Sequence, residues 1–180
     1  MVLSEKRQDS FDSKPVKELK IKAKLALKNF RENPGTRPNW ASADIVQNAS
    51  DLTLKTLLGA AAKKAGFSDW HHARHILDGH WRPGEDAGTF WYSPKCMVFL
   101  NIWCRDLEEA EQEMAKLPAA VLFPYKKQYV IGDQSFAATL GLEEQYLEMK
   151  WENNRNLTDR SNNSIWEECA LARIKNIFSN

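Results

Sequence analysis

Apolar residues recur at helical spacing through the first third of the chain. Val16, Leu19, Ala23, Ala26, Leu27 and Phe30 fall on one arc at about 100° per residue, which predicts an amphipathic helix over residues 14–31. Pro15 stands near its start, where a missing N–H costs nothing, and Asn33-Pro34-Gly35 ends it. Residues 34–50 read as a connection anchored by Trp40. A second helix over 53–65 buries Leu54, Leu57, Leu58 and Ala61, and Gly66 suits the position just past its end, where positive φ is needed. Ser68 offers an N-cap to a third helix over 69–77, with Trp70, Ala73 and Leu77 on its core arc and Gly79 closing it. The two helices form a helical hairpin locked by Trp70.

Beyond a loop at 80–88 the period changes. Thr89-Phe90-Trp91-Tyr92 reads as a strand, and so does the run Met97 to Cys104. The second run is apolar on both faces except for Asn101, so it is expected to be central and covered on both sides. A helix starts at Asp106, with acidic residues near its positive end and Lys116 near its last turn. Two further strands, 121–123 and 129–131, flank Pro124-Tyr125-Lys126-Lys127. A short helix over 134–140 ends at Gly141. A last amphipathic helix over 164–178 follows a polar loop and runs through Ile165, Trp166, Ala170, Ile174 and Phe178. The expected fold is α+β: a helical N-terminal half with a helical hairpin, then a small, mostly antiparallel four-stranded sheet with flanking helices. Residues 1–13 read as a disordered tail and 14–180 as a single domain, with a helical part at 14–79 and a sheet-containing part at 88–180.

Composition narrows the class. With 43% hydrophobic residues and seven tryptophans the chain can fill a core and supply an interface. Three widely spaced cysteines, an odd number with no CxxC, suit reduced thiols and a cytoplasmic location. No run of 18 apolar residues exists, so no membrane partner is expected, and the polar start lacks the apolar stretch of a secretory signal. The net charge of +1 conceals a split. Residues 1–83 carry 15 Lys/Arg against 9 Asp/Glu, and residues 84–180 carry 10 against 15. Such asymmetry reads either as an anionic partner for the basic half or as mutual attraction of the halves.

Four constellations bear on chemistry. His71 and His75 share a helical face at the spacing of a zinc-protease pair, but no glutamate follows His71, and His72 projects away from both. They are weak metal ligands, and solvated histidines near a helix C-terminus are the plainer account. The segment from Ala61 to Leu77 resembles a DNA-binding helix-turn-helix, yet a core arc through Trp70, Ala73 and Leu77 turns the second helix away from a groove-reading pose. Lys17, Lys20, Lys24, Lys28 and Arg31 form a stripe whose pitch could follow a phosphate backbone, flanked by the apolar Ile21 and Leu25. Asn101, alone among apolar neighbours, needs hydrogen-bond partners, and with Tyr125 and Gln128 it makes a candidate ligand pocket. There is no GxSxG, no Gly-rich phosphate loop and no pair of carboxylates in an apolar context, so no catalytic residue and no cofactor are assigned.

The pattern LxxAAxxxGFxDW from Leu58 to Trp70 resembles a short helical hairpin of bacterial proteins, found in some at the N-terminus of glyoxalase-related proteins. The downstream runs GTFWY, FLNIWC, EEAEQEM, LFPYKKQYVIGDQSF and LGL are similar to a conserved bacterial family. The resemblance covers most of residues 14–142 and implies a bacterial cytosolic origin and one integrated fold. It brings no catalytic or metal-binding residue with it. The leading expectation is a non-catalytic cytosolic binding or interaction protein, homodimeric through part of its aromatic surplus. The alternatives are nucleic-acid association through the first helix, and a small-ligand binder or enzyme with a pocket near Asn101.

Overall fold

Ser13 starts the first helix and ties it to the third. Its hydroxyl accepts the Val16 N–H and donates to the Leu77 carbonyl, and its own N–H donates to Asp78 Oδ1 at 3.0 Å. Asp12 bridges Lys20 at 2.5 Å and Arg74 at 3.2 Å. Residues 12 and 13, expected in a disordered tail, are therefore docked; the rest of that tail lies outside the described residues. The computed structural model describes residues 12–33, 36–41, 52–99, 101–151, 155–159 and 163–179.

Helix α1 (Lys14–Glu32) buries Val16, Leu19, Ala23, Ala26, Leu27 and Phe30, the arc its sequence predicts. Of the following connection, 36–41 is described, with Trp40 half-buried and edge-on to Phe178 at 5.3 Å; 34–35 and 42–50 lie outside the described residues. Helix α2 (Leu54–Lys64) begins in a capping box of Thr53 and Thr56. It ends in a Schellman turn, with the Gly66 N–H donating to the Lys63 carbonyl and the Phe67 N–H to the Ala62 carbonyl, both at 3.0 Å.

Helix α3 (Trp70–Leu77) departs from expectation in two details. Its N-cap is Asp69, whose carboxylate accepts the His72 N–H at 2.9 Å, while Ser68 serves the His72 ring instead. Its buried residues are Ala73, Ile76 and Leu77, and Trp70 is half-buried. The helix is rolled so that Ile76 takes the core position intended for the indole.

The sheet has three strands among the described residues, not four. β1 (Ile102–Cys104), β2 (Val121–Tyr125) and β3 (Gln128–Gly132) are antiparallel in the order β1-β3-β2. The segment 89–92 forms a turn, with the Tyr92 N–H donating to the Thr89 carbonyl at 3.1 Å and Phe90 and Trp91 both fully buried. Consecutive residues of a strand point to opposite faces, and a turn lets both rings enter one core. Phe90 stacks on Phe67 at 5.1 Å, and Trp91 meets Phe90, Trp166 and Phe123 at 4.6–6.2 Å.

The run 97–104 also shortens. Pro94 nucleates a 3-10 turn, Pro94–Val98, and the Asn101 side-chain amide donates to the Cys96 and Phe99 carbonyls, which closes it. Only Ile102–Cys104 remains as strand. That strand is an edge rather than central: Trp103 is 42% exposed, and Met97 and Val98 before it are 74% and 81% exposed. The outer edge of β2 is covered by residues 155–157, with the Leu122 N–H donating to the Arg155 carbonyl and the Leu157 N–H to that of Leu122.

Helix α4 (Leu107–Met114) packs on β3 and β1. Helix α5 (Gln134–Thr139) follows β3, capped by Asp133. Helix α6 (Glu143–Trp151) was not expected from the sequence; it anchors through Tyr146, whose hydroxyl donates to the Ala119 carbonyl at 2.7 Å, and Met149. Helix α7 (Asn163–Ile177) inserts Ile165, Trp166, Cys169, Ala170 and Ile174 into the core and packs against α1. One buried cluster links Val16 of α1, the hairpin, the sheet and α7. Among the described residues no helix is long and apolar enough to cross a membrane.

Candidate anion-binding cleft

The structure separates the groups that sequence proximity suggested. His75 Nε2 lies 2.8 Å from Glu85 Oε2, and the imidazole rings of His75 and His80 are 6.1 Å apart. His71 is exposed. Among the described residues no group of three His, Cys, Asp or Glu side chains gathers where a metal ion could be held. His72, which projects away from His71 and His75 on the helix, is the one that is built in. Its Nδ1 accepts the Ser68 N–H at 3.2 Å, and its Nε2 is 2.7 Å from the Asp86 carbonyl. A backbone N–H can only donate, so Nδ1 is an acceptor and Nε2 carries the proton. The ring thereby pins the 80–88 loop to the hairpin.

The stripe on α1 is partly neutralised from within. Lys20 pairs with Asp12, and Lys28 lies 3.7 Å from Glu32. Ile21 and Leu25 beside it are 47% and 51% exposed. Asn101, Tyr125 and Gln128 do not converge. The pairing Ile102↔Ile131 puts Asn101 at the Gly132 end of β3, whereas Gln128 begins β3 opposite Tyr125. The Asn101 amide is taken up by the 3-10 turn, and the Tyr125 ring packs against Trp103 at 5.0 Å and Tyr92 at 5.3 Å.

A different site emerges between the end of α2 and α7. A cleft of about 450 Å³ is lined by Lys63 and Lys64 from the last turn of α2, by Gly66, by Thr89 and Tyr92 to Lys95, by Thr139, and by Arg173, Asn176 and Ile177. Four of these residues are cations and none is a carboxylate. Lys63, Lys64 and Lys95 are exposed, and among the described residues none of them is in an ion pair.

Arg173 forms the floor. It is 7% exposed and is held by oxygen atoms that carry no formal charge. Its Nε donates to the Phe90 carbonyl and its Nη2 to the Tyr92 carbonyl, both at 3.0 Å, and its Nη1 to Asn176 Oδ1 at 3.2 Å and more weakly to the Leu140 carbonyl. Burial lowers its pKa to about 10, still far above neutrality, so the guanidinium keeps its charge. Carbonyl dipoles satisfy its hydrogen bonds but cancel none of its net charge, and a buried positive charge at the base of a cationic cleft attracts anions.

Gly66 allows the cleft walls to meet. It sits at φ +95°, and a β-carbon there would lie 2.6 Å from Thr89 Oγ1 and 2.9 Å from the Phe90 nitrogen. The Thr89 N–H donates to the Gly66 carbonyl at 2.8 Å, which closes the contact between the hairpin and the aromatic turn. The sequence signals for this site are slight. Lys63-Lys64 reads as an ordinary helix end, Lys95 as a turn residue and Arg173 as one more polar position on a helix; only the tertiary fold brings them together. Comparison of the chain with family models, with curated proteins and with solved structures finds no match.

Proposed function

We propose that this protein is a non-catalytic binding module for anionic ligands, which it takes in the cleft between α2 and α7. One observation carries the reading: four cations line a single concavity without a carboxylate, in a chain whose overall charge is only +1. On α1, Lys20, Lys22 and Lys28 have acidic neighbours. The cleft lysines do not. Binding rather than turnover is favoured because the shifted titratable groups have plain structural causes. Asp69 and Asp106 are held low chiefly by backbone N–H groups they cap, and the three thiols are pushed up chiefly by burial. Those buried, free thiols also favour the reducing cytoplasm as the place of work.

The test is a titration with inorganic pyrophosphate followed by amide chemical shifts. Shifts confined to residues 63–66, 89–95 and 173–177, and abolished in the variant K63Q/K64Q/K95Q but kept in K24Q/R31Q, are the expected outcome. Shifts that follow α1, or none at all, would rule the cleft out.

A second reading, self-association, is favoured by Met97, Val98 and Trp103, which stand exposed beside the edge of β1 that pairs with no strand among the described residues. It predicts a concentration-dependent mass in sedimentation that Val98→Lys abolishes.

A further inference from the structure

Resting on the reading of this cleft as an anion site, we infer that its ligand is a compact organic phosphate, a phosphomonoester taken as the dianion with its carbon body against Tyr92 and Ile177, and not a nucleic-acid strand. Three features of the cleft carry this.

The first is size and shape. A concavity of about 450 Å³ falls in the range of small-molecule sites, roughly 300–1,000 Å³. The half-buried side chains of Tyr92 and Ile177 supply apolar wall beside the cations.

The second is that the cationic surface stops at the cleft. A nucleic-acid strand needs a basic track that continues along its backbone. The neighbouring concavity, which shares Asn176 with this one, is lined by Glu143, Glu144 and Glu168 along with Lys14 and Lys175. A second or third phosphate in that direction meets carboxylates. On α1, Lys20 and Lys28 are already paired with acids. The field favours one concentrated negative charge over a line of single ones.

The third is the balance of donors and acceptors. Acceptors that line the cleft are used internally: Asn176 Oδ1 and the Tyr92 carbonyl by Arg173, the Gly66 carbonyl by Thr89, and the Ser93 carbonyl by the Cys96 N–H. The three lysine ammonium groups remain as donors, each with three N–H. A fully ionised phosphoryl group offers only acceptors and matches this lining. A monoanion would bring in an O–H, for which the lining residues offer side-chain hydroxyls (Thr89, Tyr92, Ser93 and Thr139) in place of a carboxylate.

The probes are phenyl phosphate, inorganic sulfate and a 12-nucleotide single-stranded RNA, with binding measured by calorimetry on the whole chain at pH 5.0 and 7.5. A phosphomonoester passes to its dianion with a second pKa of about 6, so the dianionic fraction rises about tenfold over that range. Sulfate stays dianionic and reports any change in the protein itself. The ionisable groups facing the site are Lys63 and Lys64 from α2, Tyr92 and Lys95 from the aromatic turn and the 3-10 turn, and Arg173 from α7, with the buried Cys96 near Arg173 and with Lys175, Glu143, Glu144 and Glu168 around the adjoining concavity. The ratio of phenyl phosphate to sulfate affinity is expected to rise about tenfold from pH 5.0 to 7.5, and K63Q/K64Q/K95Q is expected to weaken phenyl phosphate at least tenfold at pH 7.5. An unchanged ratio would overturn the dianion assignment. RNA that binds with steep salt dependence while phenyl phosphate does not would overturn the small-molecule assignment and leave the anion site standing. Failure of all three probes to bind would overturn both.

Discussion

Arg173 Nε donates to the carbonyl of Phe90 across 83 positions of sequence, at 3.0 Å, and its Nη2 reaches the Tyr92 carbonyl at the same distance. This guanidinium takes the part a neighbouring strand would have played for the aromatic turn. Removing it leaves the Phe90 carbonyl buried without a donor, at about 1–3 kcal/mol for an unsatisfied group, and costs the packing of the guanidinium as well. Arg173→Met is therefore expected to lower stability by about 2–4 kcal/mol, read as a fall in the urea midpoint at unchanged slope. Arg173→Lys keeps the charge but not the planar fork, and should fall between the two. A fully stable Arg173→Met would show that packing alone holds the turn.

Gly66 and Gly88 face each other closely, since a β-carbon at Gly88 would stand 2.5 Å from the Gly66 carbonyl oxygen, and both have positive φ. Gly66→Ala and Gly88→Ala are each expected to cost about 1–3 kcal/mol. The double variant should cost less than the sum, because either one already pushes the two segments apart. Additive losses in a double-mutant cycle would count against this shared contact.

Asp69, Glu85 and Asp106 are all held below the usual carboxylate range: Asp69 chiefly by the His72 N–H, Glu85 by the His75 ring and Asp106 by the Glu109 N–H. A carboxylate whose pKa is depressed by folding stabilises the fold above its unfolded pKa, and that contribution is lost as pH falls through the folded value. The ordinary values are 3.8 for the aspartates and 4.5 for Glu85, so the loss begins near pH 4.5 and deepens below it. Urea midpoints measured from pH 5 to pH 2.5 should fall, and Asp69→Asn should flatten that fall. An identical slope in the variant would remove Asp69 from the account.

Cys96, Cys104 and Cys169 are buried, and burial raises each thiol, that of Cys169 to about 12. Thiolate is the reactive form, so all three should resist a disulfide reagent at pH 8 in the folded chain and titrate as three per chain in denaturant. Rapid native labelling would indicate local opening around the sheet or α7.

The parts of the fold that could be read from sequence are those whose partners lie within a few residues. The α1 arc, the turn at Gly66 and the β2–β3 hairpin each depend on local periodicity or local backbone conformation. The turn at 89–92 does not. Thr, Phe, Trp and Tyr all favour strands, and the feature that overrides them is an arginine more than 80 positions away. β1 was over-extended because an apolar run reads as a buried strand whether or not a proline-initiated turn precedes it. Helix α6 went unseen because only Tyr146 and Met149 of its described side chains are buried, too few to set a period against its many polar residues. The cleft follows the same rule: its charges come from α2, the 3-10 turn and α7, and each is unremarkable in its own segment.

The two margins of the sheet bear differently on shelf life. β1 offers a template only three residues long. β2 presents Val121, Leu122 and Phe123, an apolar run suited to cross-strand stacking, and its cover is the short passage at 155–157. Pro124, in register with Tyr129, has no N–H to offer an incoming strand and so limits how far such stacking can spread. Irreversible loss of the protein on warming should therefore start when 155–157 lifts off, while most of the helical content is still intact.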